Sequence, residues 1–281
     1  MKWIGPTFSL ILFLHLSPDC FAQHKNDLAR NDLYGRVKSM EQWIYVAGHE
    51  ENATRKYDSL ISHSITYFND KSFIEEVFRF DNDQLISIEK FVYDTAFNLL
   101  ESNEYNTDGS LFLHIDYHTD RFGYVDELIF DRSLQKHYNH SRNLIDVEFE
   151  KYYRDLYSRI SYVNDHMGNI VEEEYFRPGG SASHKLMHDY DYRGNRVETK
   201  FYNSKGGVSW KRIFKYKRKN VPFQAKLFKS NRLAIRSDYT YEFDSKGNWV
   251  RKTEARTLED NILTQDLKDS SILIIREFEY Y

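Results

Sequence analysis

The side chains that could do chemistry in this chain are histidines and acids at short spacings. His114 with His118, and His184 with His188, stand four residues apart, the spacing at which two imidazoles grip one zinc ion on a helix. Along a strand four residues span about 13 Å, so an extended His114 to His118 segment cannot bring both rings to one ion. The second pair brackets the end of a Gly/Ser stretch, and His137 and His140 sit near a turn with no further ligand close in sequence. Asp189, Asp191 and Gly194 imitate the start of a calcium loop, but Arg193 replaces the third ligand and Lys200 stands where a bidentate acid belongs. The expectation is no metal and no cofactor.

Carboxylates are plentiful, for example Glu75 with Glu76 and Glu172 to Glu174. Adjacent carboxylates on a strand point to opposite faces, which makes them poor acid/base couples. The chain has no Gly-x-Ser-x-Gly elbow, phosphate loop or dinucleotide fingerprint. A non-enzyme is expected. The alternative is an envelope polysaccharide hydrolase with two carboxylates gathered from separate strands.

Charge is unevenly placed. Residues 205 to 236 carry 11 basic side chains and no acidic one, whereas 70 to 130 carry 14 acidic and 4 basic, yet the whole chain is only -4. A basic stripe containing Lys211, Lys215 and Lys217 could attract an acidic glycan, a headgroup layer or an acidic protein. Trp210 and Trp249 each follow a turn glycine, and such rings can stack on sugar faces. These five residues form the candidate ligand-binding set, against the plainer reading that the lysines are a solvated face and the tryptophans cover a core. A sequence pI near 6.3 argues against nucleic acid.

The elements that must position these residues are strands. Asp165-His166-Met167-Gly168-Asn169, Asp191-Tyr192-Arg193-Gly194-Asn195 and Asp244-Ser245-Lys246-Gly247-Asn248 repeat one pattern, and weaker copies begin at Asp32, Asp81, Asp94, Asn106 and Asn203. The first side chain can accept a backbone N–H two residues on, and Gly supplies the positive φ that reverses the chain. The full unit is near 26 residues and the step near 13, one strand and one turn. Between turns the period is two: Leu111, Leu113, Ile115 and Tyr117 oppose His114, Asp116 and His118. A mean hydropathy of -0.70 beside 22 Tyr and 20 Phe fits strands with one face in water. The expected fold is all-β: a long antiparallel meander of strands of about 7 residues that coils or closes on itself, a sheet twisted or coiled into a solenoid-like form. Stretches 48–55, 177–184 and 257–271 read as loops or insertions.

Lys2, the apolar run Phe8 to Leu16 and Cys20-Phe21-Ala22 read as a secretory leader, residues 1–22, ahead of a single domain, 23–281. The run is too short to span a membrane. The units around Asp191 and Asp244, each with preceding aromatics, resemble the tyrosine-aspartate (YD) repeats of Rhs-type bacterial proteins. That resemblance implies an exported bacterial β-repeat scaffold, with no catalytic residues to carry over. The expected function is binding, of a glycan or partner protein, in periplasm, at the cell surface or outside the cell.

Overall fold

The described reversals that start at Asp94, Asn106, Asp165, Asp191, Asn203 and Asp244 are made by local polar chemistry, and the sheet grows from these turns. The computed structural model describes residues 27–30, 33–47, 57–120, 124–131, 157–259 and 271–281. The leader at 1–22, His137 and His140 lie outside them. A short helix, α1 (Asp27–Arg30), precedes the strands. These are β1 (Val37–Ala47), β2 (Tyr57–Phe68), β3 (Ile74–Asp81), β4 (Gln84–Tyr93), β5 (Leu99–Asn106) and β6 (Leu111–Thr119). There follow β7 (Val125–Asp131), β8 (Arg159–Asn164), β9 (Ile170–Phe176), β10 (Ala182–Tyr190) and β11 (Arg196–Asn203). The last are β12 (Val208–Arg218), β13 (Val221–Lys229), β14 (Arg232–Phe243), β15 (Trp249–Leu258) and β16 (Ser271–Tyr280).

Asp165, Asp191 and Asp244 all sit at hairpin reversals and use one device. At Asp191 the backbone N–H bonds Asn195 O at 2.9 Å, the carboxylate accepts the Arg193 and Asn195 amides, and Asn195 Nδ2 donates to the second oxygen. Gly194 takes φ +80. Asp94 builds the same turn with Phe97 at φ 63, which explains how a copy without glycine still closes. Asn106 and Asn203 repeat the backbone pattern. Because strands alternate in direction, the turns that start at Asp94, Asp165, Asp191 and Asp244 all lie on one rim. The sharp repeat is therefore a hairpin, every second reversal.

The sheet is all-β and antiparallel, and it is a closed barrel of β1 to β16, not an open solenoid-like sheet. Closure is made by β1 on β16, in register from Glu41↔Glu277 through Trp43↔Ile275 to Ala47↔Ser271. Strand twist accumulates over so many strands that the last meets the first. The last Asp turn locks the seam. Asn248 Oδ1 accepts the Tyr34 amide at 2.7 Å, while its Nδ2 donates to Tyr34 O and to the Tyr280 hydroxyl, which in turn donates to Asp244. Strands run from 6 to 12 residues, longer than expected in most cases. The interruption read at 177–184 is a turn over 177–181, with β10 starting at Ala182.

Register carries one set of side chains around the concave wall: Val77, Glu89, Glu104 and Leu113 are cross-strand neighbours, as are Leu128 and Ile160. Contacts that skip a strand identify this face as the inner one. Arg212 on β12 reaches Tyr239 on β14 and Glu254 on β15, and Arg79 on β3 reaches Glu104 on β5. Leu113, Leu128, Ile160, Leu186, Leu227, Ile235, Ile272 and Ile274 are buried on it. Sixteen strands ~4.8 Å apart wrap a ring of about 77 Å, a radius of at least about 12 Å, so a round cross-section exceeds what facing side chains can fill.

Candidate functional site

The inner wall over β12 to β16 and β1 gathers charges from separate strands. On β15 the same-face positions Lys252, Glu254 and Arg256 follow one another. Tyr239 and Tyr241 stand opposite Glu254 and Lys252 on β14, and Ile272 and Ile274 stand opposite them on β16. Arg256 Nε donates to Glu254 Oε1 at 2.8 Å, Ser237 Oγ donates to the same oxygen at 2.8 Å, and Arg212 Nη2 lies 3.4 Å away. Burial opposes ionisation of Glu254, but Arg256 and Arg212 outweigh it and hold the carboxyl at about 2. Its Oε2 is buried without a hydrogen bond, beside a cavity of about 10 Å³ lined by Arg212, Ser237 and Arg256. That space fits one water molecule.

Two further cations on this wall have no carboxylate partner among the described residues. The Lys252 ammonium makes no hydrogen bond to a described residue and lies 5.1 Å from the Tyr239 ring. Burial drives its pKa down to about 8, Glu254 pulling the other way and Arg276, Arg212 and Arg256 adding to the fall. Arg276 lies 3.6 Å over the Trp249 ring and donates Nε to Gln42 Oε1 at 2.8 Å. Burial lowers it to about 9, with only Tyr241 opposing. Arg212, Lys252, Arg256 and Arg276 thus share this part of the wall with a single described carboxylate, Glu254. Lys252, Arg276, Trp249 and Tyr241 are only half-buried although they face the barrel's inside, so the interior keeps accessible surface there.

A second inner cluster is a closed network. His188 bridges Glu173 at 2.8 Å and Thr199 at 3.0 Å, and Tyr175 donates to the other Glu173 oxygen at 2.7 Å. His184 is stacked between Tyr175 and Phe201, and Phe201 on Trp210, at centroid separations of 4.2, 4.8 and 5.4 Å. Burial pushes His184 down to about 4, so it is neutral at neutral pH. His188 and His184, the second i, i+4 pair, are thus partners of a carboxylate and of aromatic rings respectively.

The candidate ligand set is divided by the sheet. Trp210 and Trp249 face inward; Lys211, Lys215 and Lys217 face outward, Lys211 over the Phe228 ring at 5.3 Å and Lys217 over Phe223 at 5.6 Å. Arg212, Lys252, Glu254, Arg256 and Arg276 were not singled out by sequence reasoning. The available signal was three successive same-face charges at 252, 254 and 256 on a strand whose neighbours put tyrosines on one side and isoleucines on the other.

For the hydrolase alternative, Glu89 and Glu104 share the inner wall, but both face Arg79, at 2.6 and 3.7 Å. Among the described carboxylates whose pKa is displaced, only Asp126 is pushed up, by burial and by Asp120. A general acid needs such a displacement, together with a second placed carboxylate.

No protein-family model and no curated protein matches the chain. Among solved structures the chain is similar in fold to a porin-like protein from Bacteroides uniformis, with a TM-score of 0.53 at 9% identity, covering 86% of this chain and 98% of that one. A porin-like protein from Bacteroides vulgatus gives 0.32 at 11% identity, covering 87% and 98%. The Photorhabdus luminescens Tc holotoxin pore gives 0.29 at 10% identity, covering 76% of this chain and 14% of that one. Only the first likeness is strong enough to speak for the fold. It corrects the YD-repeat resemblance: the chain is a closed barrel like that porin-like protein. The Asp-x-x-Gly-Asn unit is a local solution to a turn, so it says how a hairpin reverses and not how hairpins assemble.

Proposed function

We propose that this chain is an exported, non-enzymatic binding barrel of the cell envelope, standing in water, that holds an anionic, partly apolar ligand on its inner wall. The observation that carries this reading is the pair Lys252 and Arg276, cations without a carboxylate partner among the described residues, set among Trp249, Tyr241, Ile44 and Ile274. An unpaired charge on an enclosed wall costs stability unless something answers it, and an anionic head with an apolar body answers both halves of this lining. The outer wall supports a place in water. A lipid-facing barrel needs an apolar band about 25 Å tall, whereas ion pairs ring this one: Lys90–Glu76, Arg159–Glu127, Lys185–Glu172, Lys200–Glu198, Arg236–Asp238 and Lys38–Glu279.

The test is a titration of the full mature chain with dodecyl phosphate, dodecanol and inorganic phosphate, read by tryptophan fluorescence and calorimetry. Dodecyl phosphate should bind, dodecanol and phosphate at least tenfold more weakly, and Arg276→Met should lose about tenfold, as for one charged hydrogen bond. Equal binding of dodecanol, or unchanged binding in Arg276→Met, would overturn the reading.

A second reading rests on the outer wall. Lys211, Lys215 and Lys217 on β12 lie across the barrel from the acidic strands β4 to β6, so the molecule carries a transverse charge asymmetry. Such a face suits an acidic glycan or an acidic protein surface. Capture of a polyanionic glycan on this wall should weaken steeply with added salt and vanish in a Lys211→Glu, Lys215→Glu, Lys217→Glu variant; salt-independent capture would count against it.

A further inference from the structure

On the acidic side of the barrel, β5 and β6 place four polar side chains in one outer cross-strand square: Glu101 opposite Asp116 and Asn103 opposite His114. Two carboxylates directly opposed across adjacent strands repel. Neither meets a lysine or arginine among the described residues, although Glu76 on the same wall has Lys90. One ligand atom each from Glu101, His114 and Asp116 lies within 4.8 Å of the others.

The hydrogen bonds fix one end of the imidazole. Asn103 Nδ2 donates to Glu101 Oε1 at 3.0 Å, which turns the Asn103 carbonyl oxygen toward His114. That oxygen lies 2.7 Å from His114 Nδ1 and can only accept, so Nδ1 carries the proton. Nε2 then faces Asp116 Oδ1 at 3.1 Å. A proton on Nε2 makes this contact an ion pair, and a metal ion can take the place of that proton, because the nitrogen lone pair and the two carboxylates converge on one spot. A histidine that holds its other N–H on a carbonyl, with carboxylates around the free nitrogen, is the donor arrangement of a divalent metal ligand.

We propose that Glu101, His114 and Asp116 bind a first-row divalent transition metal of the zinc class, with Asn103 orienting both His114 and Glu101 and water completing the shell. A mixed imidazole and carboxylate set suits zinc, nickel or copper better than calcium or magnesium, which prefer oxygen alone. The sequence expectation of no metal considered His114 with His118 along one strand; here the partners come from the neighbouring strand instead.

The test is calorimetric titration of the chelator-treated full chain with zinc, then calcium, on wild type, His114→Ala, Asp116→Asn, Asn103→Ala and the control His118→Ala, with thermal unfolding to confirm folding. The expected result is one zinc per chain, no calcium binding at the same concentration, loss of at least tenfold in His114→Ala and Asp116→Asn, and about ten- to a hundredfold in Asn103→Ala. His118→Ala should bind as wild type. Absence of zinc binding, with His114 doubly protonated by NMR, would overturn the proposal. So would zinc binding that survives in both His114→Ala and Asp116→Asn, or that is lost in His118→Ala.

Discussion

Replacing Lys252 by Met should make the ligand-free barrel more stable, and by an amount that depends on pH in a defined way. In the fold the ammonium lies near about 8 instead of 10.5 because burial penalises its charge. Below pH 8 the lysine is protonated in both folded and unfolded chains, so the whole penalty is present. Between 8 and 10.5 the unfolded chain binds the extra proton and the fold gains stability as pH rises; above 10.5 the penalty is gone. The displacement corresponds to about 3 kcal/mol as an upper bound, and the part-open interior reduces this to about 1–3 kcal/mol. Urea unfolding followed by tryptophan fluorescence at pH 7 and pH 10.5 measures it. Lys252→Met should raise the midpoint at pH 7, with the difference from wild type shrinking toward pH 10.5, and should weaken dodecyl phosphate binding about tenfold. A variant less stable than wild type by the same amount at both pH values would refute the reasoning, because Lys252 would then be a packing element and not an unanswered charge.

Three further outcomes follow from the geometry. Asn248→Ala removes three of the four bonds that tie Tyr34 and Tyr280 to the last Asp turn, leaving Tyr280 on Asp244, and should cost about 2–3 kcal/mol in chemical unfolding, whereas Asn169→Ala, whose amide donates to Asp165, should cost about 1 kcal/mol. Gly194→Val at φ +80 should cost about 1–2 kcal/mol and leave the far-UV strand signal intact. His184 is held neutral, with its folded pKa about 4 against 6.5 unfolded, so stability should fall as pH drops from 6.5 to 4; His184→Phe should flatten that part of the pH profile, measured by urea midpoints.

The legible parts of the fold were those written locally. Asp191 and Asn195 fix a turn within five residues, and Leu111 to Tyr117 alternate within seven, so hairpins and an all-β sheet follow from short stretches. Closure was not legible, because Trp43 and Ile275 are far apart in the chain and pair only once twist has brought β16 round to β1. Alternation itself separates Trp210 from Lys211, neighbours that must point to opposite faces, and it does so without any structure. The inner cluster needed register: Arg212 meets Glu254 only when β12 to β15 are laid side by side. The same holds for Glu101 and Asp116, whose alignment is set by the turn from Asn106 to Ser110.

An inner wall can enclose a ligand only if the ring of strands is shut. Cysteines at Glu41 and Glu277, register partners on β1 and β16, in a chain with Cys20 replaced by Ser, measure this directly, since partners across a strand pair lie within disulfide reach. Mild oxidation should link them almost completely, shift gel mobility and raise the unfolding midpoint without loss of dodecyl phosphate binding. A folded chain in which these two thiols stay free, while a hairpin control pair such as Glu76 and Lys90 links readily, would show an open sheet and contradict the account.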